Sequence, residues 1–593
     1  MNSIWSGSKI QVFGAKNEVV GFNVVLEAAT TTATGVSVTF NQLVGPSGSS
    51  IKSVPVTGNG VFDWTQRNIE LFYVKYLQIK GLSLLGYENY YDERHVPKRL
   101  RRPWTGAGTA TAGTKWTDRA DHDKFYPDIV QPLELAPTFA VSQGKNQSIW
   151  VDVFVPKTAN AGLYTGSLNI SENGQTTRSI PVEMVVRNFT LPDVPTAKTM
   201  LHFGDFRERY IGNVYPNPGS PEALKVAAVS NKHLLLAHRH KISLIGDDAM
   251  TADQPTSAWI PAVNGSLFTA ANGYDGPGVG TGNNVYSIGT YGSWQAPWGT
   301  TQAGIQAHAN AWETWFQLNS PTTERFVYLV DESTNYAQTE QWANWMKTNP
   351  GVGSKLPSLA TISLINASSS VPSLWYPTSG AGFYATAAFD AAYNTLKLDP
   401  LKKLYLYNGI RPGVGCFMTE DDGVSLRANA WTQYKKGVSR WFYWQSTYYN
   451  DFQGGRGNID VFNNANTFGG VAPLDPTVGE TGWNHSNGDG VLFYPGTDKL
   501  FPASSLGIDG PIASLRLKAW RRGIQDVDYL TLAAAKNPAA VQALVNTMVP
   551  KVAWEVGVDN PADPTYVHSD ISWSTNPDVW ESARKQLADI IDP

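Results

Sequence analysis

The chain has 593 residues, of which 46 are basic and 50 acidic, and its formal net charge is −4. This length exceeds what a single hydrophobic core supports and predicts two to four domains. The balanced charge argues against nucleic acid or an anionic membrane as a partner, and no apolar run approaches the ~18 residues of a transmembrane helix. The single cysteine, Cys416, excludes an internal disulfide framework.

Composition also bears on location and ligand. The chain contains 54 Gly and 36 Pro with only 16% charged residues, which is typical of exported, strand-rich proteins. Its first residues, MNSIWSGSKIQVFG, lack the basic segment and apolar core of a signal peptide. We therefore expect a secreted, periplasmic or cell-surface bacterial protein without a signal peptide in this chain, and a cytoplasmic location stays open. The 21 Trp suit either a Trp-rich core or contacts with the apolar faces of sugars.

The first third of the chain predicts an antiparallel β-sandwich over residues 1–195. Short apolar or alternating segments follow one another between turns rich in Gly, Pro, Asn and Ser, without a helical period. The stretch Gly106–Thr117 predicts a loop inserted in this domain, and the Pro-containing TLPDVPTAK predicts the linker that follows Asn188. The predicted strands are GFNVVLEA, GVSVTF, IELFYVKYLQI, QSIWVDVFV, GLYTGSLNI and SIPVEMVV.

From Thr199 onward, apolar strands alternate with helices, which predicts a (β/α)8 barrel over residues 196–593 that includes the C-terminal helices. A helix near the end places Leu517, Trp520, Ile524 and Val527 on one stripe. The last helix is expected to begin at Asn576 and Pro577, a capping residue followed by Pro. The predicted strands are TMLHFGD, ISLIGDD, the weaker NVYSIGT, VYLVDES, ATISLIN, LYLYNG, RWFYWQS and VLFYPG.

Several of these strands end in polar residues. In FVYLVDESTNY, an apolar run of four residues leads directly into Asp331 and Glu332. Charge at such a position is costly unless it is paired or used, although a solvated turn is the simpler alternative. Active sites of (β/α)8 barrels lie at the C-terminal strand ends, so repeated polar endings favour a functional site. The other endings are His202 with Asp205, Asp247 with Asp248, Asn408, and Gln445.

Several segments resemble glycoside hydrolase family 123. The stretch PLELAPTFAVSQGKNQSIWVDVFVPKTANAGLYTGSLNI resembles the sandwich that precedes the barrel in that family, and VYLVDES resembles its strand-four motif. LYLYNG, RANAWTQYKKGVSRWFYW and SLRLKAWRRGIQDVDYL resemble the late barrel segments. The resemblance implies a glycosidase with a carbohydrate substrate and no cofactor.

The resemblance also implies roles for the adjacent acids. In the family, the acetamido group of an N-acetyl-β-D-galactosaminide attacks its own anomeric carbon in a retaining mechanism without an enzyme nucleophile. Carried over, Glu332 is the general acid/base, and Asp331 orients the acetamido group. Adjacent strand residues point to opposite sides, so both acids can serve one sugar only if the backbone turns there. Ser333 stands where the family commonly has Pro, which leaves the sugar open.

Other residues enter as alternatives or as substrate contacts. Glu420 in CFMTEDDGVS is either part of a solvated turn or the nucleophile of a conventional two-carboxylate glycosidase, and Asp205 is a further candidate for that second carboxylate. The aromatic candidates lie near strand ends, where alternation could equally place them in the core. The predicted substrate-binding residues are His202, Asp205, Tyr407, Asn408, Tyr443 and Trp444.

The sequence offers no metal-binding pattern. His238 and His240 are two residues apart on a predicted helix and do not share a face, and neither HExxH nor CxxC occurs. The remaining hypothesis is a non-catalytic carbohydrate-binding or structural surface protein that kept the barrel. The oligomeric state is not predicted.

Overall fold

The computed structural model of the chain contains two main kinds of sheet, a pair of facing sheets in the N-terminal part and a parallel sheet in the rest. The prediction of a loop at Gly106–Thr117 lies outside the described residues. The structure describes residues 2–79, 83, 124–380, 385–438, 440–451, 457–467, 470–471, 483–484, 486–557 and 571–593.

The N-terminal strands form two sheets that face each other across a core of Val, Ile, Phe and Leu side chains. The strands are β1 Ile10–Lys16, β2 Glu18–Ala28, β3 Ala33–Thr39, β4 Gln42–Val44, β5 Ser50–Lys52, β6 Ile69–Gln78, β7 Phe125–Pro132, β8 Phe139–Val141, β9 Lys145–Val155, β10 Gly162–Glu172 and β11 Gln175–Thr190. One sheet has the order β1-β11-β10-β3-β8, with β4 on β10 and β5 on β4, and the other has the order β2-β9-β6-β7. All six predicted strands are present.

The sequence predicted an antiparallel sandwich, and one pair of strands corrects this prediction. β1 pairs in parallel with β11, with Ile10 opposite Val182. Alternation along a strand reports only which face is buried, so it did not reveal the direction of the partner.

From Lys198 the chain forms an eight-stranded parallel sheet. Its strands are β12 Lys198–His202, β13 Ser243–Ile245, β14 Val285–Ile288, β15 Glu324–Val330, β16 Ser358–Ala360, β17 Tyr376–Gly380, β18 Tyr405–Tyr407 and β19 Arg440–Tyr443. Neighbours follow chain order, and the first strand pairs with the last, with Lys198 opposite Arg440. Between β13 and β14, both fully described, there is no strand pairing, although Asn284 N donates to Ser243 Oγ at 3.0 Å. The barrel is therefore nearly closed.

The interior of this sheet is filled with side chains. Every strand contributes to one buried cluster, and Glu324 lies at the amino end with Lys403 at 2.8 Å and contacts from Arg440 and Tyr405. Paired charges therefore occupy the barrel at the amino ends of its strands. A site is expected at the carboxyl ends. The cluster comprises Met200, Ile245, Val285, Phe326, Tyr328, Leu359, Tyr376, Tyr405 and Phe442.

Helices lie between consecutive strands and after the last. They are α1 Arg207–Ile211, α2 Pro221–Arg239, α3 Ile260–Asn264, α4 Gln295–Trp298, α5 Gln302–Asn319, α6 Tyr336–Lys347, α7 Leu364–Ser370, α8 Thr386–Leu396, α9 Ser425–Lys436, α10 Leu515–Ala534, α11 Pro538–Met548 and α12 Pro577–Ile591. The connection after β13 carries the five-residue α3 and one 3-10 helix instead of a long α-helix, so the second βα unit departs from the predicted pattern. The predicted stripe of α10 is buried, and Asn576 caps α12 by accepting from Asp578 N.

Short elements complete the described chain. The two-to-three-residue strands are β20 Asn450–Asp451, β21 Gly457–Asn458, β22 Gly470–Val471, β23 Trp483–Asn484, β24 Phe493–Pro495 and β25 Pro511–Ala513. The 3-10 helices are Pro46–Gly48, Gly58–Phe62, Leu133–Leu135, Ala270–Asn272, Val352–Lys355, Pro502–Ser504 and Ala553–Val556. Within the described residues, no helix is long and apolar enough to cross a membrane.

Two strand predictions are corrected. Only the first residue of ATISLIN is in a strand, and its last three residues begin α7. VLFYPG forms β24, which pairs with β25 outside the barrel. The missing barrel strand is β17, in the sequence YPTSG, whose Pro and small polar residues gave no apolar pattern. LYLYNG and RWFYWQS consequently hold the seventh and eighth strands of the barrel rather than the sixth and seventh.

The sandwich contacts the barrel region through buried ion pairs. Carboxylates of the sandwich strands meet basic side chains of α10 and α12, all within about 3 Å. Such pairs are costly to break because they leave a buried charge unpaired. They link the two regions, whose boundaries at residues 195 and 196 stay a prediction. The pairs are Asp128 with Arg516, Asp152 with Lys518 and Arg521, and Glu18 with Arg522 and Arg584.

Candidate active site

The two adjacent acids lie at the C-terminal end of β15, in the mouth of the barrel. β15 is buried from Phe326 to Val330, and both Asp331 and Glu332 are exposed. Glu332 has a φ of 47°, in the left-handed region that few non-glycine residues adopt. The backbone therefore turns at Glu332, so the two side chains are not held on opposite faces of a straight strand.

Two hydroxyl groups fix the carboxylate of Asp331. Tyr328 OH and Thr361 Oγ1 both donate to Oδ1 at 2.8 Å. Thr361 also accepts from the backbone N–H of Glu332 at 2.6 Å. No described residue donates to Oδ2 of Asp331, so that oxygen can accept a hydrogen bond from a ligand. A single threonine thus holds both acids of the pair.

The surroundings of Glu332 favour its protonated form. Partial burial, and then the negative charge of Asp331, raise the pKa of Glu332 above its usual value. Burial, followed by Asp331 and Glu332, also raises the pKa of Tyr407, so its phenol stays protonated beside the two acids. The site therefore brings together two carboxyl groups with different surroundings and one phenol hydroxyl.

Tyr291 forms the centre of the barrel mouth, and the sequence did not indicate it. Its ring centroid lies 5.0 Å from His202, 5.4 Å from Tyr328 and 6.4 Å from Phe442. Its hydroxyl donates to the carbonyl oxygen of Trp444. Tyr291 follows β14 by three residues, so the available signal was an aromatic residue just beyond a weak strand.

A second group of polar residues lies at the ends of β12 and β13. Gln445 Nε2 donates to Asp205 Oδ2 at 2.8 Å, and Thr290 donates to Asp247. Burial, and then Asp247, raise the pKa of Asp205. His202 is 7% exposed, and burial lowers its pKa. The predicted residues His202 and Asp205 therefore lie together.

Asp248 differs from its neighbour Asp247. It accepts from Tyr286 OH at 2.7 Å and from Thr256 N at 2.9 Å. These contacts fix the loop after β13, so Asp248 has a structural role.

The last two barrel strands present Tyr407, Asn408 and Trp444, all partly exposed. Asn408 has a φ of 56°, and its Oδ1 accepts from Trp444 N at 3.2 Å. Tyr443 instead is 1% exposed and stacks on Phe417 with ring centroids 3.8 Å apart. Tyr443 therefore belongs to the core, the alternative that strand alternation had left open.

Glu420 is wholly buried rather than part of a solvated turn. Its Oε1 accepts from Ser83 N at 2.8 Å and from Asn487 Nδ2 at 3.1 Å, and burial raises its pKa. Ser83 follows β6 of the sandwich, so these contacts tie the two regions together. They do not connect Glu420 with Asp331 or Glu332.

Two buried histidines at the C-terminal end of α2 contact backbone oxygens. His238 Nε2 contacts Gly278 O at 2.9 Å, and His240 Nδ1 contacts Leu236 O at 2.7 Å. Across the described ranges, no three His, Cys, Asp or Glu side chains are grouped so that they could hold a metal ion.

No protein family defined by sequence matches the chain, and no curated protein matches it. Its structure is similar to a family 123 glycoside hydrolase from Clostridium perfringens, solved to study glycolipid glycan hydrolysis. The TM-score is 0.59 with 12% identity, covering 98% of this chain and 93% of that chain. The resemblance to family 123 is thus confirmed at the level of the fold.

Two further structures match less well. A family 39 glycoside hydrolase from Bacteroides cellulosilyticus has a TM-score of 0.26 and 12% identity over 56% of this chain and 70% of its own. A family 5 xyloglucanase from Bacteroides ovatus has a TM-score of 0.25 and 8% identity over 87% of this chain and 98% of its own.

Proposed function

We propose that the chain is a glycoside hydrolase whose reacting groups are Asp331 and Glu332. The observation that carries the proposal is their joint anchoring: Thr361 binds the carboxylate of Asp331 and the backbone of Glu332, while the turn at Glu332 frees the two side chains from the opposite faces of a straight strand. The similarity of the fold to a family 123 glycoside hydrolase supports it.

Glu332 is the general acid in this proposal. It protonates the oxygen of the leaving group as the glycosidic bond breaks, a role that its raised pKa supports. In the second step the resulting carboxylate removes a proton from the attacking water. Because the same group serves both steps, the reaction is symmetrical about one intermediate.

Asp331 assists an internal nucleophile of the substrate. The acetamido oxygen at C2 of the sugar forms a bond to C1 while the leaving group departs, and positive charge develops on the acetamide. Asp331 accepts a hydrogen bond from the acetamide N–H through Oδ2, while its Oδ1 is held by Tyr328 and Thr361. Water then opens the cyclic oxazolinium at C1, and the anomeric configuration is retained.

The substrate class is a glycan that carries a 2-acetamido sugar, with an N-acetyl-β-galactosaminide as the first candidate. Sugar contacts fall to groups around the acids, of which Asp205, Tyr407, Asn408 and Trp444 are at least partly exposed and His202 is 7% exposed. Tyr443 is not among them because its ring stacks on Phe417 in the core. We also propose that the protein is exported from a bacterial cell. The contact residues are His202, Asp205, Tyr407, Asn408 and Trp444.

The test is a panel of aryl glycosides and glycans with and without a 2-acetamido group. We expect turnover of acetamido substrates, inhibition by a thiazoline analogue of the oxazolinium, and loss of turnover with retained sugar binding in Glu332→Gln. Asp331→Asn should impair acetamido substrates most. Asp248→Asn is the matched control, because Asp248 also follows a barrel strand but is engaged by Tyr286 and Thr256. Binding without turnover in the unaltered chain would indicate a non-catalytic carbohydrate-binding protein.

A two-carboxylate mechanism is the second candidate. It is favoured by the proximity of Asp205 and Asp247 at neighbouring strand ends, where burial and then the charge of Asp247 raise the pKa of Asp205. Cleavage restricted to sugars that lack an acetamido group, together with a trapped covalent glycosyl-enzyme on Asp205 or Asp247, would replace substrate assistance with this mechanism.

A further inference from the structure

A buried carboxylate outside the strand ends contacts the aromatic side of the site. Asp489 is 7% exposed, and its Oδ1 accepts from Trp444 Nε1 at 2.9 Å and from Tyr443 OH at 2.8 Å. Thr467 Oγ1 donates to the backbone oxygen of Asp489 at 2.6 Å. The loop that carries Asp489 is therefore fixed, and Asp489 in turn fixes an indole.

Three hydrogen bonds fix Trp444, although its side chain is partly exposed. Its backbone N–H donates to Asn408 Oδ1 at 3.2 Å, its carbonyl accepts from Tyr291 OH, and its indole N–H donates to Asp489. An exposed indole normally has rotamer freedom that binding must restrict. Here that freedom is already removed in the free protein.

Gly490, the residue after Asp489, packs closely against the same indole. Gly490 has a φ of +71°, and a Cβ there would lie 2.6 Å from Trp444 Cζ2 and 2.8 Å from Tyr448 Cβ. Its N–H donates to Tyr443 OH at 2.9 Å. Only glycine combines this backbone conformation with so close an approach, so Asp489 and Gly490 together fit around Trp444.

Asp489 also differs from the other buried carboxylates that bind an indole N–H. The acids that accept from Trp64, Trp150 and Trp431 each form ion pairs with Arg or Lys as well. In the described part of the chain, Asp489 forms no salt bridge and accepts from neutral donors, and the nearby charge of Arg516 acts on it without direct contact. Burial of a carboxylate without a direct ion-pair partner is costly, which indicates a role for the bond to Trp444 beyond stability.

We propose that Asp489 is a positioning residue that presents the indole of Trp444 as the surface on which the apolar face of a pyranose ring stacks. This inference rests on the proposed glycosidase function and adds the sugar face that the site recognises. Stacking on a preset aromatic plane improves ground-state binding, because the plane does not have to be ordered when the sugar arrives. Asp489 should therefore act on KM more than on kcat.

The experiment compares Asp489→Ala, Asp489→Asn and Trp444→Phe in the full chain. Asp489→Ala and Trp444→Phe should each raise KM about tenfold with kcat within about twofold, since each removes the indole–carboxylate bond. Asp489→Asn keeps an oxygen acceptor and should restore KM to within about threefold of the unaltered chain. The matched control is Asp390→Ala, which removes the 2.6 Å bond from Trp554 Nε1 to Asp390 outside the site and should leave KM unchanged.

A crystal structure of Asp489→Ala provides a readout that needs no substrate. We expect the indole of Trp444 to be displaced or multiply oriented, and an indole that keeps its orientation would overturn the positioning role. A KM of Asp489→Ala equal to that of Asp390→Ala would overturn the stacking role while leaving the glycosidase proposal intact. If the unaltered chain neither cleaves nor binds any glycan, the proposed function fails, and the stacking role of Trp444 fails with it. In that case the crystal structure of Asp489→Ala alone decides whether Asp489 positions Trp444.

Discussion

The substitution Thr361→Val isolates the anchor of the acid pair. Valine has nearly the shape of threonine but lacks the hydroxyl that donates to Asp331 at 2.8 Å and accepts from Glu332 N at 2.6 Å. Tyr328 OH still binds Asp331, so the carboxylate loses one of its two donors. The left-handed turn at Glu332 loses the described partner of its N–H.

The size of the effect follows from the contacts. A hydrogen bond to a charged group contributes about 1.5–3 kcal/mol, which corresponds to about 10- to 150-fold in a rate constant at ~1.4 kcal/mol per decade. Because Asp331 is exposed to solvent, water replaces part of the lost bond, and we expect kcat/KM to fall about 10- to 30-fold. Thr361→Ser keeps the hydroxyl and should retain most of the activity.

The assay is kcat/KM on the best acetamido substrate, in the unaltered and the Asp331→Asn backgrounds. If Thr361 acts through Asp331, Thr361→Val should cost no more than about twofold once Asp331 is replaced, as expected for coupled sites. A loss of equal size in both backgrounds would refute the reasoning. Unchanged thermal unfolding of each variant is required before the rates are compared.

Three further predictions follow from burial and charge. Because the pKa of Glu332 is raised, activity on substrates with poor leaving groups should persist at pH values above the usual pKa of a carboxyl group. It should fall as the pH rises through the pKa of Glu332, and the pH profile of Glu332→Gln should lack this decrease. Glu420→Gln should keep kcat within about tenfold, whereas a loss of 10²–10⁴-fold, with azide rescue, would make Glu420 the nucleophile. Glu18→Ala should lower the free energy of unfolding by about 3–5 kcal/mol, measured with denaturant, because it leaves buried Arg584 short of a partner. The partly exposed Glu183, which pairs with Lys9, is the control, and its substitution should change stability little.

Local patterns in the sequence were sufficient for the kind of many elements and for the position of the acids at a strand end. Apolar or alternating segments identified six of the eleven described sandwich strands, and the helical stripe of α10 is buried as expected. Asp331 and Glu332 stood out because charge follows directly after a buried strand. These features depend on neighbours within a few residues, which the sequence displays directly.

Partners distant in sequence were decided by the tertiary structure. Thr361 reaches Asp331 from the next strand, Tyr443 rather than Trp444 is buried, and Asp489 binds Trp444 across 45 residues. The sequence also could not choose YPTSG over VLFYPG as a barrel strand, because the neighbouring strands supply the hydrogen bonds that make YPTSG part of the sheet. The burial of a side chain and the pairing of a strand depend on the whole packed chain, whereas the periodicity of apolar residues is a local property of the sequence. The candidate site depends on both, because its acids follow a local pattern and their partners come from distant segments.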